Sequence, residues 1–66
     1  MRYQFRVRGR LSEMLLAAFP ELRAQESGSE TLLAGQVPDQ AALFGVLDRI
    51  EALGLELLEV LSTEDQ

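Results

Sequence analysis

From Arg2 to Arg8 the chain alternates without a fault: Tyr3, Phe5 and Val7 take one parity, Arg2, Gln4, Arg6 and Arg8 the other. A period of two, with aromatic and β-branched residues on the apolar side, predicts a half-buried strand. Gly9 ends it, and Ser12 is placed to cap a helix that turns Leu11, Leu15, Ala18 and Phe19 towards the core. Pro20 stops that helix, because a proline pushes the preceding residue out of the α region. Leu22–Glu26 alternates weakly and predicts a short edge strand, Ser27-Gly28-Ser29 is turn chemistry, and Thr31–Val37 predicts the returning strand of a hairpin. Pro38-Asp39 opens a second helix with Asp39 as its cap. Leu43, Val46, Leu47, Ile50 and Leu53 are its apolar stripe, at i, i+3, i+4, i+7 and i+10. Gly54 stands where a left-handed C-terminal cap belongs, Leu55–Leu61 predicts a last strand, and 62–66 is a polar tail that frays.

Strand, helix, hairpin, helix, strand is the split βαβ plan. The fold expected is α+β, a ferredoxin-like βαββαβ two-layer sandwich with sheet order 4-1-3-2. It forms one domain over residues 1–61. Right-handed crossovers put both helices on one face of the antiparallel sheet. The other face then has no layer of its own and should be polar at every second position if water covers it. The first strand obeys that rule. The third and fourth do not, since 32–34 reads Leu-Leu-Ala and 55–61 reads Leu-Glu-Leu-Leu-Glu-Val-Leu. Apolar groups on both faces of a strand predict burial on both, and the simplest cover is a second copy of the chain. The expected sheet-face interface comprises Arg6, Arg8, Leu32, Ala34, Leu57, Glu59 and Leu61, with Arg6 or Arg8 pairing to Glu56 or Glu59. A second surface is expected on the outer side of the later helix, at Ala41, Phe44, Gly45 and Asp48. Phe44 lies ~130° from the core stripe at 100° per residue. Gly45 inside the helix costs ~1 kcal/mol against alanine, which calls for a packing reason.

Composition sharpens this picture. A chain of 66 residues without Cys or His has no disulfide and no Cys/His metal site to support a small core, so association is the remaining aid. No apolar run approaches a membrane span or a signal segment, and the expected setting is cytoplasmic. The net charge of −5 is uneven. Four arginines give the first ten residues +4, while eleven acids against two arginines leave −9 for the remainder. All six basic residues are arginine, with no Lys, no Asn and one Ile, a bias that suits a GC-rich genome.

The chemistry of catalysis is poorly supplied. Without His, Cys or Lys the usual general bases and activated nucleophiles are missing, and Ser12 is committed as a cap. Asp48 and Glu51 sit three apart on a helix face and read as solvated surface rather than an acid/base pair. No glycine-rich phosphate loop appears. A sheet that reads RNA needs exposed aromatics, but Tyr3 and Phe5 lie opposite the arginines. The expectation is therefore no enzyme, no cofactor, no nucleic acid and no membrane. The chain should be a small interaction or regulatory module that associates with itself and has room for a protein partner.

Several resemblances bear on that reading. Val7-Arg8-Gly9-Arg10 before a helix resembles the phosphate cradle of acylphosphatases, which also need an asparagine that this chain lacks. Heavy-metal carrier domains share the topology but place paired cysteines in the first loop, where there are none. Gly45-Val46-Leu47-Asp48-Arg49-Ile50-Glu51-Ala52-Leu53-Gly54-Leu55-Glu56-Leu57 is similar to the glycine-led helix and strand of ACT regulatory domains, although here the glycine lies inside the second helix rather than after the first strand. That resemblance implies an alternative function, small-molecule sensing with the ligand at a dimer interface. Thr31–Val37 followed by Pro38-Asp39 is similar to the strand-to-helix step of BON domains. As a whole the chain resembles short actinobacterial proteins of ferredoxin-like fold, a likeness that implies a fold and no activity.

Overall fold

The computed structural model describes residues 1–63. The elements run β1 (Arg2–Arg8), α1 (Glu13–Leu16), β2 (Arg23–Ser27), β3 (Glu30–Gln36), α2 (Gln40–Ala52) and β4 (Leu57–Ser62). One antiparallel sheet has the order β2-β3-β1-β4, which is 4-1-3-2 taken from the other side. This is the ferredoxin-like α+β arrangement. β4 continues one residue into the segment read as tail, and the Thr63 amide donates to the Arg2 carbonyl at 2.9 Å. Residues 64–66 of that tail lie outside the described residues.

Register fixes the two faces, because directly opposed residues of antiparallel strands point the same way. Phe5 opposes Leu33 and Val7 opposes Thr31 on one face. There Phe5, Val7 and Leu33 join Phe19, Val46 and Ile50 in a core whose partly buried rim includes Tyr3, Leu11, Leu16, Ala18, Leu22, Leu43, Leu47 and Leu55. The helices and the segments flanking them therefore cover that face alone. Buried Thr31 is satisfied because its hydroxyl donates to the Gly9 carbonyl at 2.7 Å.

The caps are those the sequence calls for. Ser12 Oγ accepts from the Leu15 amide and Asp39 Oδ1 from the Ala42 amide. Gly54 follows α2 at φ +74°, a conformation only glycine takes freely. The β2–β3 turn is Gly28-Ser29, with Gly28 at φ +63° in the first central position that a type II′ hairpin favours. Two details differ from the periodic reading. α1 holds only four residues, after which the Ala18 and Phe19 amides bond to Leu15 and Leu16 carbonyls, three residues back. That tighter turn brings Leu16, rather than Leu15, into contact with the core. Leu53 falls at the C-cap of α2 and is exposed, so the buried part of the stripe ends at Ile50.

Candidate interaction surfaces

On the open face the side chains form rows across the strands. Arg23 (β2), Ala34 (β3), Gln4 (β1) and Leu61 (β4) make one row; Gln25, Leu32, Arg6 and Glu59 make the next. Arg6 stands between two carboxylates, its Nη1 2.9 Å from Glu30 and its Nη2 2.9 Å from Glu59. Glu30 first, then Glu59, raises the Arg6 pKa above its ordinary value through hydrogen bonds to the charged form. Arg8 pairs with Glu56 at 2.9 Å. The pairings expected of Arg6 and Arg8 thus form within one chain, across neighbouring strands, and Glu30 is the member that sequence reading missed.

Arg6 and Arg8 are two residues apart, whereas Glu56 and Glu59 are three apart. A β-bulge reconciles the two spacings. Arg6 opposes Glu59 while Val7 opposes Leu57, which leaves Leu58 as an extra residue. The bulge also corrects one expectation. Leu57 was expected on the open face with Arg6, Arg8, Leu32, Ala34, Glu59 and Leu61, but its opposition to Val7 puts it on the helix side. There it lines a groove with Leu47, Ile50, Gly54 and Leu55. An inserted residue inverts the parity that simple alternation predicts.

The consequence is an apolar border along the outermost strand. Leu57 and Val60 project on the helix side and Leu61 on the open side, at 37%, 36% and 44% exposure. The interior of the open face is less apolar than the sequence implies, since only Leu32 and Ala34 interrupt its polar groups and both are half-buried.

The outer side of α2 carries the other expected surface. Phe44 is 53% exposed, Ala41 and Asp48 are exposed, and a Cβ at Gly45 would meet nothing within 4 Å. Gly45 therefore has no packing reason among the described residues. Arg49, on the same helix, was not singled out by sequence. It donates to the Ala18 carbonyl at 2.6 Å, pairs with Glu21 and lies 5.2 Å from the Phe19 ring centre. The Glu21 carboxyl is held below its usual range, chiefly by the hydrogen bond from Arg49. This cluster ties α2 to the segment before β2. Its only trace in the sequence is an arginine beside a core position, with partners 28 and 31 residues away.

Among the described residues no group of His, Cys, Asp or Glu is arranged to hold a metal ion, and no helix is long and apolar enough to cross a membrane. Tyr3 and Phe5 stack at 6.2 Å on the core side, away from the face where a nucleic acid base would lie. Neither the curated proteins nor the solved structures give a match to this chain. A family profile does match, over residues 2–61, and the chain belongs to the family described as Domain of unknown function (DUF8691).

Proposed function

We propose that this protein is a non-catalytic association module that forms a homodimer through its sheet, with the β4 border at the centre of the interface. One observation carries the reading. Of the seven large exposed apolar side chains among the described residues, three, Leu57, Val60 and Leu61, lie on the outermost strand. An edge strand also offers unpaired backbone N–H and C=O groups to another strand. Antiparallel pairing of Glu59–Ser62 with the same segment of a second copy joins two four-stranded sheets and brings both apolar flanks out of water. Such an isologous contact is the commonest symmetry of soluble oligomers. Glu59 does not oppose it, because Arg6 already pairs with that carboxylate. Regulation through a protein partner docking at Phe44 belongs to the same reading. Small-molecule sensing of the ACT kind is the second reading, supported by the depression over Ala34 described below.

Sedimentation equilibrium over a concentration series tests the dimer. The expected result is a monomer–dimer equilibrium with a micromolar dissociation constant, weakened by Leu61→Lys. A monomer that persists at several hundred micromolar would sink the proposal.

A further inference from the structure

Four of the six arginines have a carboxylate within reach: Arg6 and Arg8 at 2.9 Å, Arg10 at 3.9 Å from Glu26, and Arg49 against Glu21. Arg2 and Arg23 have none among the described residues, in a chain whose net charge is −5. These two line one cavity of about 550 Å³ at the end of the sheet. A second depression of about 340 Å³ adjoins it, and the two share Arg23 and Ala34.

The register explains the hollow. Arg2 opposes Gln36 and Arg23 opposes Ala34, so both arginines project on the open face from strands that flank β3. Standard strand spacings place their Cα atoms ~12 Å apart, near enough for two extended arginine side chains to converge on one ligand. Between them β3 presents Gln36 and the methyl of Ala34, with Leu32 further along. Gly35 opposes Tyr3 and so faces the helix side, where it lets the Glu21–Leu22 backbone close against β3, since a Cβ there would stand 2.8 Å from the Glu21 carbonyl oxygen. That segment borders the cavity at the sheet margin, where Glu21 and Leu22 are part of its lining. The Glu21 carboxylate also lines the cavity but is engaged by Arg49. The side-chain amides of Gln4, Gln25 and Gln36 complete the rim.

We infer that this hollow binds a small organic carboxylate, its charged end held by the Arg2 and Arg23 guanidiniums and its short aliphatic body resting on Ala34 and Leu32. The planar guanidinium matches a carboxylate through two parallel N–H···O bonds, and two cations that reach one cavity, with no carboxylate partner among the described residues, favour an anion between them. The inference does not depend on the dimer. Mass reports one and ligand-induced shifts report the other.

The test is a titration of the ¹⁵N-labelled full chain with sodium succinate at constant ionic strength, with sodium chloride and inorganic phosphate as separate arms. The expected result is saturable shifts at the Arg23, Leu32, Ala34 and Gln36 amides in the succinate arm. Arg2→Gln and Arg23→Gln should each weaken binding at least tenfold with the melting temperature unchanged, and Arg23→Lys should weaken it less. Absence of saturable shifts, equal shifts in the glutamine variants, or equal affinity for phosphate would overturn the inference. Binding seen only after Glu64→Gln with Asp65→Asn would also overturn it, because the arginines would then serve the chain's own acidic end.

Discussion

The two edge strands of the sheet face the same hazard and meet it differently. β2 is Arg-Ala-Gln-Glu-Ser, exposed at all five positions and almost wholly polar. β4 is Leu-Leu-Glu-Val-Leu-Ser, exposed at five of six positions and apolar on both faces. An edge strand is a ready template for another chain, and charged side chains are a common way to blunt it. β2 carries that protection and β4 does not. The contrast teaches that the apolar surplus of this chain is a property of one border rather than of the whole open face. On the readings proposed above it also separates roles: β2 with Arg23 would meet water and anions, β4 a surface like itself.

Predictions follow from pressing on that contrast, beginning with the anchoring of β2. Gly35→Val forces the Glu21–Leu22 backbone away from β3, and overpacking of this kind costs ~1–3 kcal/mol. Chemical denaturation should show the loss, with Gly35→Ala milder in the same direction. The next test exchanges one outward residue on each border. Leu61→Lys should raise the dimer dissociation constant at least tenfold, about 1.4 kcal/mol, whereas Gln25→Lys on β2 should change it less than twofold. Equal effects in sedimentation would erase the distinction between the borders.

Arg49→Gln should cost ~1 kcal/mol, since its ion pair is more than a third exposed and the carbonyl bond and ring contact add modestly. The pH dependence has a definite sign. The Glu21 carboxyl is lowered in the folded state, so the stabilisation is present above the unfolded glutamate range and is lost as pH falls through the folded value. Urea melts of the two proteins should therefore converge on acidification. The smallest effect belongs to Phe44→Ala. A side chain 53% exposed should change stability by less than about 0.5 kcal/mol; a large loss would make Phe44 part of the core and end its role as a docking anchor.

Local chemistry carried most of the fold. The faultless alternation of residues 2–8, the caps at Ser12 and Asp39, the turn at Gly28 and the left-handed Gly54 each depend on neighbours a few residues away, so the chain displays them directly. The candidate surfaces were less legible. Alternation cannot reveal the extra residue at Leu58, and so it assigned Leu57 to the wrong face. The three-way pairing of Arg6 with Glu30 and Glu59 depends on contacts 24 and 53 residues apart, which only the assembled sheet creates. The same holds for Arg2 and Arg23, which lie twenty-one positions apart in sequence and share a cavity only because β3 lies between their strands.

The bulge at Leu58 has a further consequence for how far self-pairing can run. Deleting that one residue would keep Glu56 opposite Arg8 and Glu59 opposite Arg6, yet it would straighten the outer strand into a longer, flatter ribbon. A straight apolar ribbon recruits strand after strand, while a kinked one offers a short stretch that a single twin can fill. If the proposed pairing occurs, one additional leucine would act as a stop, setting a finite pair against an open-ended stack.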